Sequence, residues 1–465
     1  MITSVTSVRN FYQQNQQSST PLTVAGALAA LKSNPRLKVE VADSTQNLAL
    51  YLDALSPLSN NITQIAQTDA ATGLMSISAS AYGRYSAIFG KFSTNYRLNV
   101  VDAQAQSATT LAASDHVAGF SVADNSGNIA AFMGDLTGQS KLDRITVTSQ
   151  GAPIVLSADQ LASSADALAK IYGSYSVSVA DATCAEALGY ASNLHVRSIN
   201  VVDTASAISS NLDDLKALGV RLKKVTSSDT DVVSIDAVQL QADASVIGKL
   251  FKGYQLSLQN TSMGQASGLY SNKKVVSIDV VDTAANIAGN IGLLSKLGDS
   301  LHSIHVADVE HALQITSAQY AAQAQALAKV VSGDNYKLAI SGASAAEAGV
   351  IGANEHVSSI AVRDSAAAVA SALDDLETND RLAEIGISGR TATLAISSAQ
   401  LTNDAATLGK ISGNYRLYVS NVGADAAPAL LQGNSHISAM TVNGTAAQLA
   451  NDLAGLAAMG SRIAA

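Results

Sequence analysis

The sequence predicts an α/β protein built as a right-handed solenoid of stacked β-α coils around a mostly parallel sheet, with a repeat of about 80 residues. Strands that end in Val-x-Asp recur along the 465 residues, and their aspartates are Asp43, Asp124, Asp203, Asp282 and Asp364, at spacings of 81, 79, 79 and 82. Gly444 stands 80 residues further on. A second series is Tyr96, Tyr175, Tyr254, Tyr336 and Tyr415, and these tyrosines number repeats 1 to 5 below. A fixed period of this kind is typical of units that bury their core against neighbouring units.

The first coil of each repeat is a strand followed by an amphipathic helix. Residues 196–275 show it in SINVVDTASAISSNLDDLKALG, where a period of two gives way to a period of 3.6. The apolar residues Ile208, Leu212 and Leu215 lie three or four apart, on one helical face. Gly219 stands where a helix ends in the left-handed conformation, and Gly298 has the same place in the next repeat.

The middle segment predicts two short strands and a second helix. A recurrent capping box marks the start of that helix, in which a hydroxyl at the N-cap and an amide three residues later satisfy each other's backbone groups. The boxes are Ser157 with Gln160, Thr316 with Gln319, Ser397 with Gln400, and the acidic variant Asp236 with Gln239. Lysine in the last turn suits the negative end of the helix dipole, at Lys170, Lys249, Lys329 and Lys410. Glycine follows at Gly173, Gly253, Gly333 and Gly413.

The third segment runs from the repeated tyrosine strand into a short alanine-rich helix, which begins in repeat 4 with another capping box, Ser344 with Glu347. Each repeat therefore predicts three major coils, whose parallel strands are joined right-handedly. At about 4.8 Å per strand the stack would measure about 75 Å. We expect a flexible polar leader at residues 1–20 and a single solenoid of a little over five repeats at 21–465, with boundaries near residues 117, 196, 275, 357 and 437.

Composition and motifs argue against several functional classes. A net charge of −9 without a basic run argues against nucleic-acid binding. No apolar segment approaches the 18 residues of a membrane-spanning helix, and the N-terminus does not resemble a cleaved secretory signal. The single cysteine, Cys184, indicates a buried small residue, with a reactive thiol as the alternative. Nucleophile-elbow, P-loop and dinucleotide motifs are absent, so the sequence predicts no enzyme and no catalytic residue.

The acidic strand ends are the candidate metal ligands. Adjacent coils pair Asp102 with Asp124, Asp181 with Asp203, and Asp282 with Asp308. Stacked in register, the carboxylates of each pair would lie about 5 Å apart, close enough to share a calcium ion. The alternative is helix capping, because each aspartate stands where a strand gives way to a helix.

Two other recurring positions have competing interpretations. His116, His195, His356 and His436 share a position that Lys274 fills in repeat 3. A position that accepts lysine indicates a positive charge near a helix C-terminus, or surface placement, rather than a metal ligand. The cluster of His302, His305 and His311 matches no zinc motif. The tyrosine series could line a glycan-binding face or pack against the next coil.

The repeated phrases resemble those of large bacterial exported or surface proteins. VVDTASAISSNLDDLKALG, VVDTAANIAGNIGLLSKLG and ISSAQLTNDAATLGKISGNYRLYV are similar to the repeats of alphaproteobacterial-type proteins often labelled β-strand-repeat or RTX-related. The resemblance covers residues 24–463 and implies export without a cleaved signal and a role as an adhesin, coat or scaffold. The GGxGxDxU calcium nonapeptides of RTX proteins are absent, so calcium-driven folding is not implied.

We therefore expect a non-enzymatic extracellular structural scaffold, for adhesion, a coat or filament assembly. Its partners would be other copies, through the open sheet at the solenoid ends, or another surface component. The alternatives are a glycan- or protein-binding module and an effector delivered by a specialised secretion system. No cofactor is expected beyond the calcium hypothesis.

Overall fold

The computed structural model describes residues 20–69, 73–93, 95–251, 253–331, 333, 335–389 and 392–464. The predicted leader, residues 1–20, lies outside them except for Thr20. The strands are β1 Val39–Asp43, β2 Ile62–Gln67, β3 Met75–Ser78, β4 Leu98–Ala103, β5 Val117–Asp124, β6 Leu142–Val147, β7 Ile154–Leu156, β8 Ile171–Tyr172, β9 Val177–Ala182, β10 Val196–Asp203, β11 Leu222–Ser227, β12 Val233–Asp236, β13 Leu256–Thr261, β14 Val275–Asp282, β15 Leu301–Val306, β16 Ala312–Thr316, β17 Lys337–Ala343, β18 Val357–Asp364, β19 Leu382–Ile387, β20 Ala392–Ser397, β21 Ile411–Ser412, β22 Tyr415–Gly423 and β23 Ile437–Asn443.

Short α-helices connect these strands. They are Val24–Ser33, Thr45–Leu50, Leu52–Leu55, Ala79–Arg84, Ser86–Phe89, Ala108–Ala113, Ser126–Ala131, Met133–Leu136, Ala158–Ser163, Ala165–Ala169, Cys184–Gly189, Ala205–Ser210, Leu212–Lys216, Gln239–Ala242, Ala244–Ile247, Met263–Ala266, Ala284–Gly289, Leu294–Leu297, Ser317–Ala322, Ala324–Leu327, Ala348–Gly352, Ala366–Ser371, Leu373–Glu377, Ser398–Asn403, Ala405–Leu408, Ala427–Gly433, Ala446–Asn451 and Leu453–Met459. The molecule is therefore α/β, as predicted.

The chain divides into two compact units. One contains Met1–Asp231 with Ser245–Lys252, and the other contains Val232–Ala244 with Gly253–Ala465. In the first unit the sheet orders are β1-β2, β3-β4-β5-β6-β8 and β11-β10-β9-β7. In the second they are β12-β13-β14-β15, β16-β17-β18-β19-β21 and β20-β22-β23. Every pairing between these strands is parallel, which confirms the predicted parallel arrangement.

The strands β5, β10, β14, β18 and β23 begin at residues 117, 196, 275, 357 and 437, where the repeat boundaries are predicted. A complete repeat supplies four principal strands, as in β12 to β15, which matches the Val-x-Asp strand, the two middle strands and the tyrosine strand of the prediction. The two short strands of the middle segment belong to different sheets, since β11 pairs with β10 and β12 pairs with β13.

Two alternate residues of β14 are buried in the core of the second unit. Ile278 and Val280 are fully buried, and the helix that follows buries Ala284 and Ile287. This confirms the predicted switch from a strand to an amphipathic helix. The helix predicted as one piece is nevertheless broken, and in the first unit Asn211 separates Ala205–Ser210 from Leu212–Lys216. The Asn211 side chain donates to the Ala207 carbonyl at 2.8 Å, and such local bonds compete with a regular helix.

Four of the five tyrosine strands have a residue with positive φ six residues after the tyrosine. Asp102, Asn260, Gly342 and Asn421 have φ between +50° and +71° at this position. The strand register shifts there because an extra residue is inserted. The left-handed conformation favours glycine, asparagine and aspartate, which explains the residue types. Gly219 and Gly298 also have positive φ, +54° and +53°, but the ψ of −127° puts Gly298 outside the predicted left-handed helical conformation.

Candidate functional site

The aspartate at the end of each Val-x-Asp strand joins two coils of the chain. In the second unit, Asp282 Oδ2 accepts a hydrogen bond at 2.9 Å from the backbone amide of Met263, the first residue of the preceding helix. Asp282 Oδ1 accepts from the amide of Thr283 at 2.8 Å and from Asn286 Nδ2 at 2.7 Å. One carboxylate therefore satisfies the start of its own helix and the start of the helix one coil earlier, where free amides need acceptors.

The same connection recurs in every repeat that has this aspartate. The donor amide always lies 19 residues before the acceptor, and the N···Oδ2 distances are 2.9–3.0 Å. The pairs are Val24 with Asp43, Ala105 with Asp124, Cys184 with Asp203, Met263 with Asp282, and Ala345 with Asp364. We call them the 19-residue caps. In each pair the other oxygen, Oδ1, accepts the amide of the next residue at 2.7–2.8 Å.

A second series joins the Val-x-Asp coil to the coil that follows it. The amides of Thr45, Ala205 and Ala284 donate to Asp69, Asp229 and Asp308, each 24 residues ahead. In repeat 2 a serine hydroxyl takes over, and the Ser126 amide donates to Ser149 Oγ at 2.8 Å. The middle helix of repeat 2 uses the same device, because the Ala158 amide donates to Asp181 Oδ1 at 3.0 Å. Carboxylates that cap helices thus recur at several coil junctions.

Hydrogen bonds at these junctions lower the pKa values of two capping carboxylates, Asp282 and Asp43. Burial alone would raise the pKa of Asp282, but hydrogen bonds from Asn286, Met263 and Thr283 outweigh it and hold the pKa below its ordinary value. The pKa of Asp43 is lowered in the same way, against burial, by bonds from Asn47, Val24 and Ser44. Both carboxylates are therefore held in the ionised form that accepts amide hydrogen bonds.

The six predicted calcium ligands have amide partners or special backbone positions. Asp124, Asp203 and Asp282 accept amide hydrogen bonds with both oxygens, while Asp181 and Asp308 each cap one helix. Asp102 occupies the left-handed irregularity of β4, and its amide donates to Ser121 Oγ at 3.2 Å. The described residues contain no group of three or more His, Cys, Asp or Glu side chains placed to hold a metal ion. The geometry favours the capping interpretation.

The sequence did not identify the donors of the 19-residue caps. The prediction was that each aspartate caps the helix beginning beside it, whereas the N-cap of that helix is the next residue, such as Ser44, Thr204 or Thr283. The available signal was the constant interval of 19 residues between a helix start and the next Val-x-Asp. The capping boxes at Ser157, Thr316 and Ser397 are confirmed.

The recurring histidines stack on the recurring tyrosines, which corrects the helix C-terminus interpretation. The ring centroids of Tyr96 and His116, Tyr175 and His195, Tyr336 and His356, and Tyr415 and His436 lie 3.9–4.1 Å apart with interplanar angles of 7–15°. In repeat 3, Lys274 Nζ lies 4.1 Å from the centroid of the Tyr254 ring. A cation over an aromatic face explains why lysine can replace histidine. One face of each tyrosine ring is therefore occupied, which favours the packing interpretation over a glycan-binding face.

The lysines at the end of the middle helix also act between coils. Lys170 Nζ donates to the Gln139 carbonyl at 2.8 Å, and Lys249 Nζ donates to the Gly219 carbonyl at 2.7 Å. Lys329 Nζ bonds the carbonyls of Gly298 and Leu301. The prediction placed these charges at the end of their own helix, but the structure directs them to the end of an earlier helical segment. There they satisfy carbonyls that lack helical partners.

Two further buried side chains, Cys184 and Asp404, carry ionisable groups. Cys184 is 1% exposed, and burial together with the Asp203 carboxylate raises the pKa of its thiol to about 12. This supports the buried, unreactive interpretation. Asp404 is 3% exposed, and burial, then a hydrogen bond and charge from Asp374, then the charge of Glu377, raise its pKa to about 6. Sequence reasoning missed Asp404, although an acid within the apolar stripe of a helix was a visible signal.

Comparison with other proteins adds no family assignment. No protein-family model matches the chain, and no curated protein sequence matches it. Among the described residues, no helix combines the length and apolar character needed to cross a bilayer.

Proposed function

We propose that this chain is a non-enzymatic structural scaffold, built as a right-handed α/β solenoid and displayed outside the bacterial cell. It would be exported without a cleaved signal and would act in adhesion, a coat or filament assembly. Its partners would be other copies of the chain or another surface component.

The 19-residue caps carry this proposal. The carboxylates that recur most regularly in the sequence accept backbone amides of a neighbouring coil. The recurring imidazoles and ammonium groups likewise contact rings and carbonyls of other coils. Chemistry that repeats and is used between consecutive segments is typical of an architecture that grows by addition of similar units. The parallel pairing of the strands is consistent with such an architecture.

Electron microscopy of the purified chain tests the proposal directly. Ordered filaments or sheets at increasing protein concentration would support a self-associating scaffold. Monodisperse particles at all concentrations, with no change in sedimentation, would contradict self-association. Elongated particles about 75 Å long would support the solenoid, since parallel strands advance about 4.8 Å each, whereas two globules joined by a linker would contradict it.

A binding module is the second candidate, because the second unit contains an apolar cleft of about 650 Å³. This volume lies within the range of about 300–1,000 Å³ that is usual for small-molecule sites. Under this alternative, the purified chain would bind its ligand with the same affinity whether it is monomeric or assembled. Loss of binding on dilution to monomers would instead favour assembly as the primary role.

A further inference from the structure

The apolar cleft of repeat 4 lies beside two short helices, Ser317–Ala322 and Ala348–Gly352. Its floor contains Leu327, Val330 and Leu338, which are buried. Val350 lines the same cleft and is 81% exposed. The described residues that line the cleft include the acidic Glu347 and His356 but no lysine or arginine. The cleft therefore offers an apolar surface whose formal charge is negative.

Repeat 2 shows what fills the equivalent space in another part of the chain. Thr183 and Ser344 each accept the amide three residues later with their hydroxyl; Tyr190 is seven residues after Thr183, and Ile351 is seven residues after Ser344. The Tyr190 hydroxyl donates to the Ala158 carbonyl at 3.1 Å, so its ring bridges the third and middle helices of repeat 2. Ala158 is the residue after the N-cap Ser157, and Ser317 has that place after Thr316 in repeat 4. Both Ser317 and Ile351 line the cleft.

The tyrosine of repeat 4 comes from the opposite helix and leaves this space open. Tyr320 stands four residues after the N-cap Thr316, where repeat 2 has Leu161 after Ser157. Its hydroxyl accepts a hydrogen bond from Asn354 Nδ2 at 2.9 Å instead of reaching the middle-helix carbonyl. Repeat 1 resembles repeat 4, because its tyrosine also stands four residues after the N-cap of the middle helix. This residue, Tyr82, donates to Ser114 Oγ at 3.3 Å and also lines a cleft.

We propose that the cleft of repeat 4 binds a small, uncharged phenolic compound whose ring occupies the place held by the Tyr190 ring in repeat 2. The ring covers the apolar floor, and the hydroxyl donates to the Ser317 carbonyl as Tyr190 donates to that of Ala158. An apolar floor favours an aromatic ring over a sugar, whose hydroxyl groups need several polar partners. Glu347, with no lysine or arginine among the described lining residues, disfavours a carboxylated ring. This site goes beyond the scaffold function and does not depend on it.

The test uses p-cresol, which is the tyrosine side chain as a free molecule, on the full chain with labelled Ile, Val and Ala methyl groups. We expect saturable NMR shift changes at Val350 and Ile351, and binding at least tenfold weaker for p-toluate, its carboxylated counterpart. The double variant Tyr320→Leu with Ile351→Tyr transplants the repeat-2 pair, so it fills the cleft with residues that the fold already accepts. In this variant p-cresol binding should weaken at least tenfold.

The reciprocal variant, Leu161→Tyr with Tyr190→Ile, provides the matched control. It should open a second p-cresol site in repeat 2 while leaving the shifts at Val350 unchanged. Saturable binding that survives the Tyr320→Leu/Ile351→Tyr change would overturn the proposal. So would non-saturable shifts spread over all repeats, or binding of glucose at Val350 with none of p-cresol. Methyl spectra of both variants without ligand report directly whether they fold.

Discussion

Asp282 and Gly444 hold the same place in two repeats of the second unit and close the coil junction differently. At Asp282 one carboxylate accepts the Met263 amide of the preceding coil and the Thr283 amide of its own helix. At Gly444 two other acceptors bind the equivalent amides. The Ala424 amide donates to the Asn443 carbonyl at 3.2 Å, and the Thr445 amide donates to Gln448 Oε1 at 2.8 Å.

The difference shows that the junction can form without a carboxylate when a capping box is present. Thr445 and Gln448 form a complete box, whereas Thr283 is followed three residues later by Asn286, which bonds Asp282 instead. Gly444 is not needed for space, because an added Cβ would meet Ala424 Cβ at an ordinary distance of 3.4 Å. The carboxylate and the capping box are therefore alternative solutions to the same unsatisfied amides.

The largest expected effect comes from removing the carboxylate where no alternative exists. Asp282→Ala leaves the buried Met263 amide and the Thr283 amide without their acceptors, and each such loss costs about 1–3 kcal/mol. We expect the free energy of unfolding in urea to fall by about 3 kcal/mol. Adding Asn286→Gln should recover about 1 kcal/mol, because it creates the capping box present at Thr445. Asp375→Ala, at an exposed carboxylate, is the control. Equal losses in both variants would contradict the comparison.

The buried acid Asp404 gives the next effect and has the opposite sign to Asp282. Its pKa is raised to about 6, by burial first and then by Asp374 and Glu377, so the folded state retains its proton above the ordinary range. Stability is then lost as pH rises from about 4 to about 7, because ionisation is penalised only in the folded state. Asp404→Asn should remove this pH dependence and stabilise the protein by about 2 kcal/mol at pH 7. Urea unfolding at pH 4, 5.5 and 7 measures it, and a variant that keeps the wild-type pH profile would contradict it.

Sequence reasoning predicted the parts of the fold that depend on periodicity and local chemistry. The strand starts, the capping boxes and the left-handed Gly219 follow from patterns that act within a few residues. The partners of Asp282, Tyr336 and Lys249 lie 19–30 residues away, and only the register between coils decides them. The assignment of strands to six sheets in the described residues was missed for the same reason. The cleft could not be predicted, because it arises from an exchange of large and small residues between two helices.

Restoring the carboxylate at Gly444 should have a smaller effect. In Gly444→Asp the new side chain can accept the Ala424 amide, but the existing bonds to Asn443 and Gln448 already satisfy this junction. We expect a gain in the free energy of unfolding of at most about 1 kcal/mol, the usual value of one hydrogen bond. Gly444→Ala separates this gain from the effect of removing a glycine. A gain as large as the loss in Asp282→Ala would show that the capping box does not substitute for the carboxylate.

The stacked positions should show the smallest change in free energy when residues are exchanged between repeats. His356→Lys copies the Lys274 arrangement, and Lys274→His copies that of His356, so each should change stability by less than about 0.5 kcal/mol. His356→Ala removes the ring contact and should cost about 1 kcal/mol. Thermal unfolding of the four proteins measures the series. A loss in His356→Lys equal to that in His356→Ala would contradict the equivalence of the two stacks.

Calcium distinguishes the capping interpretation of the acidic pairs from the metal hypothesis. Because Asp124, Asp203 and Asp282 already accept amide hydrogen bonds with both oxygens, millimolar calcium should leave the melting temperature unchanged. A calcium-dependent rise that disappears in Asp282→Asn would favour the metal hypothesis instead.

Native-state hydrogen exchange at the Met263 amide tests the coupling between coils most directly. The wild-type amide should be protected, and Asp282→Ala should increase its exchange rate at least tenfold more than that of the Ala424 amide, which has a backbone acceptor. Unchanged exchange at Met263, or an equal increase at Met263 and Ala424, would contradict the account of Asp282 as the acceptor that joins two coils.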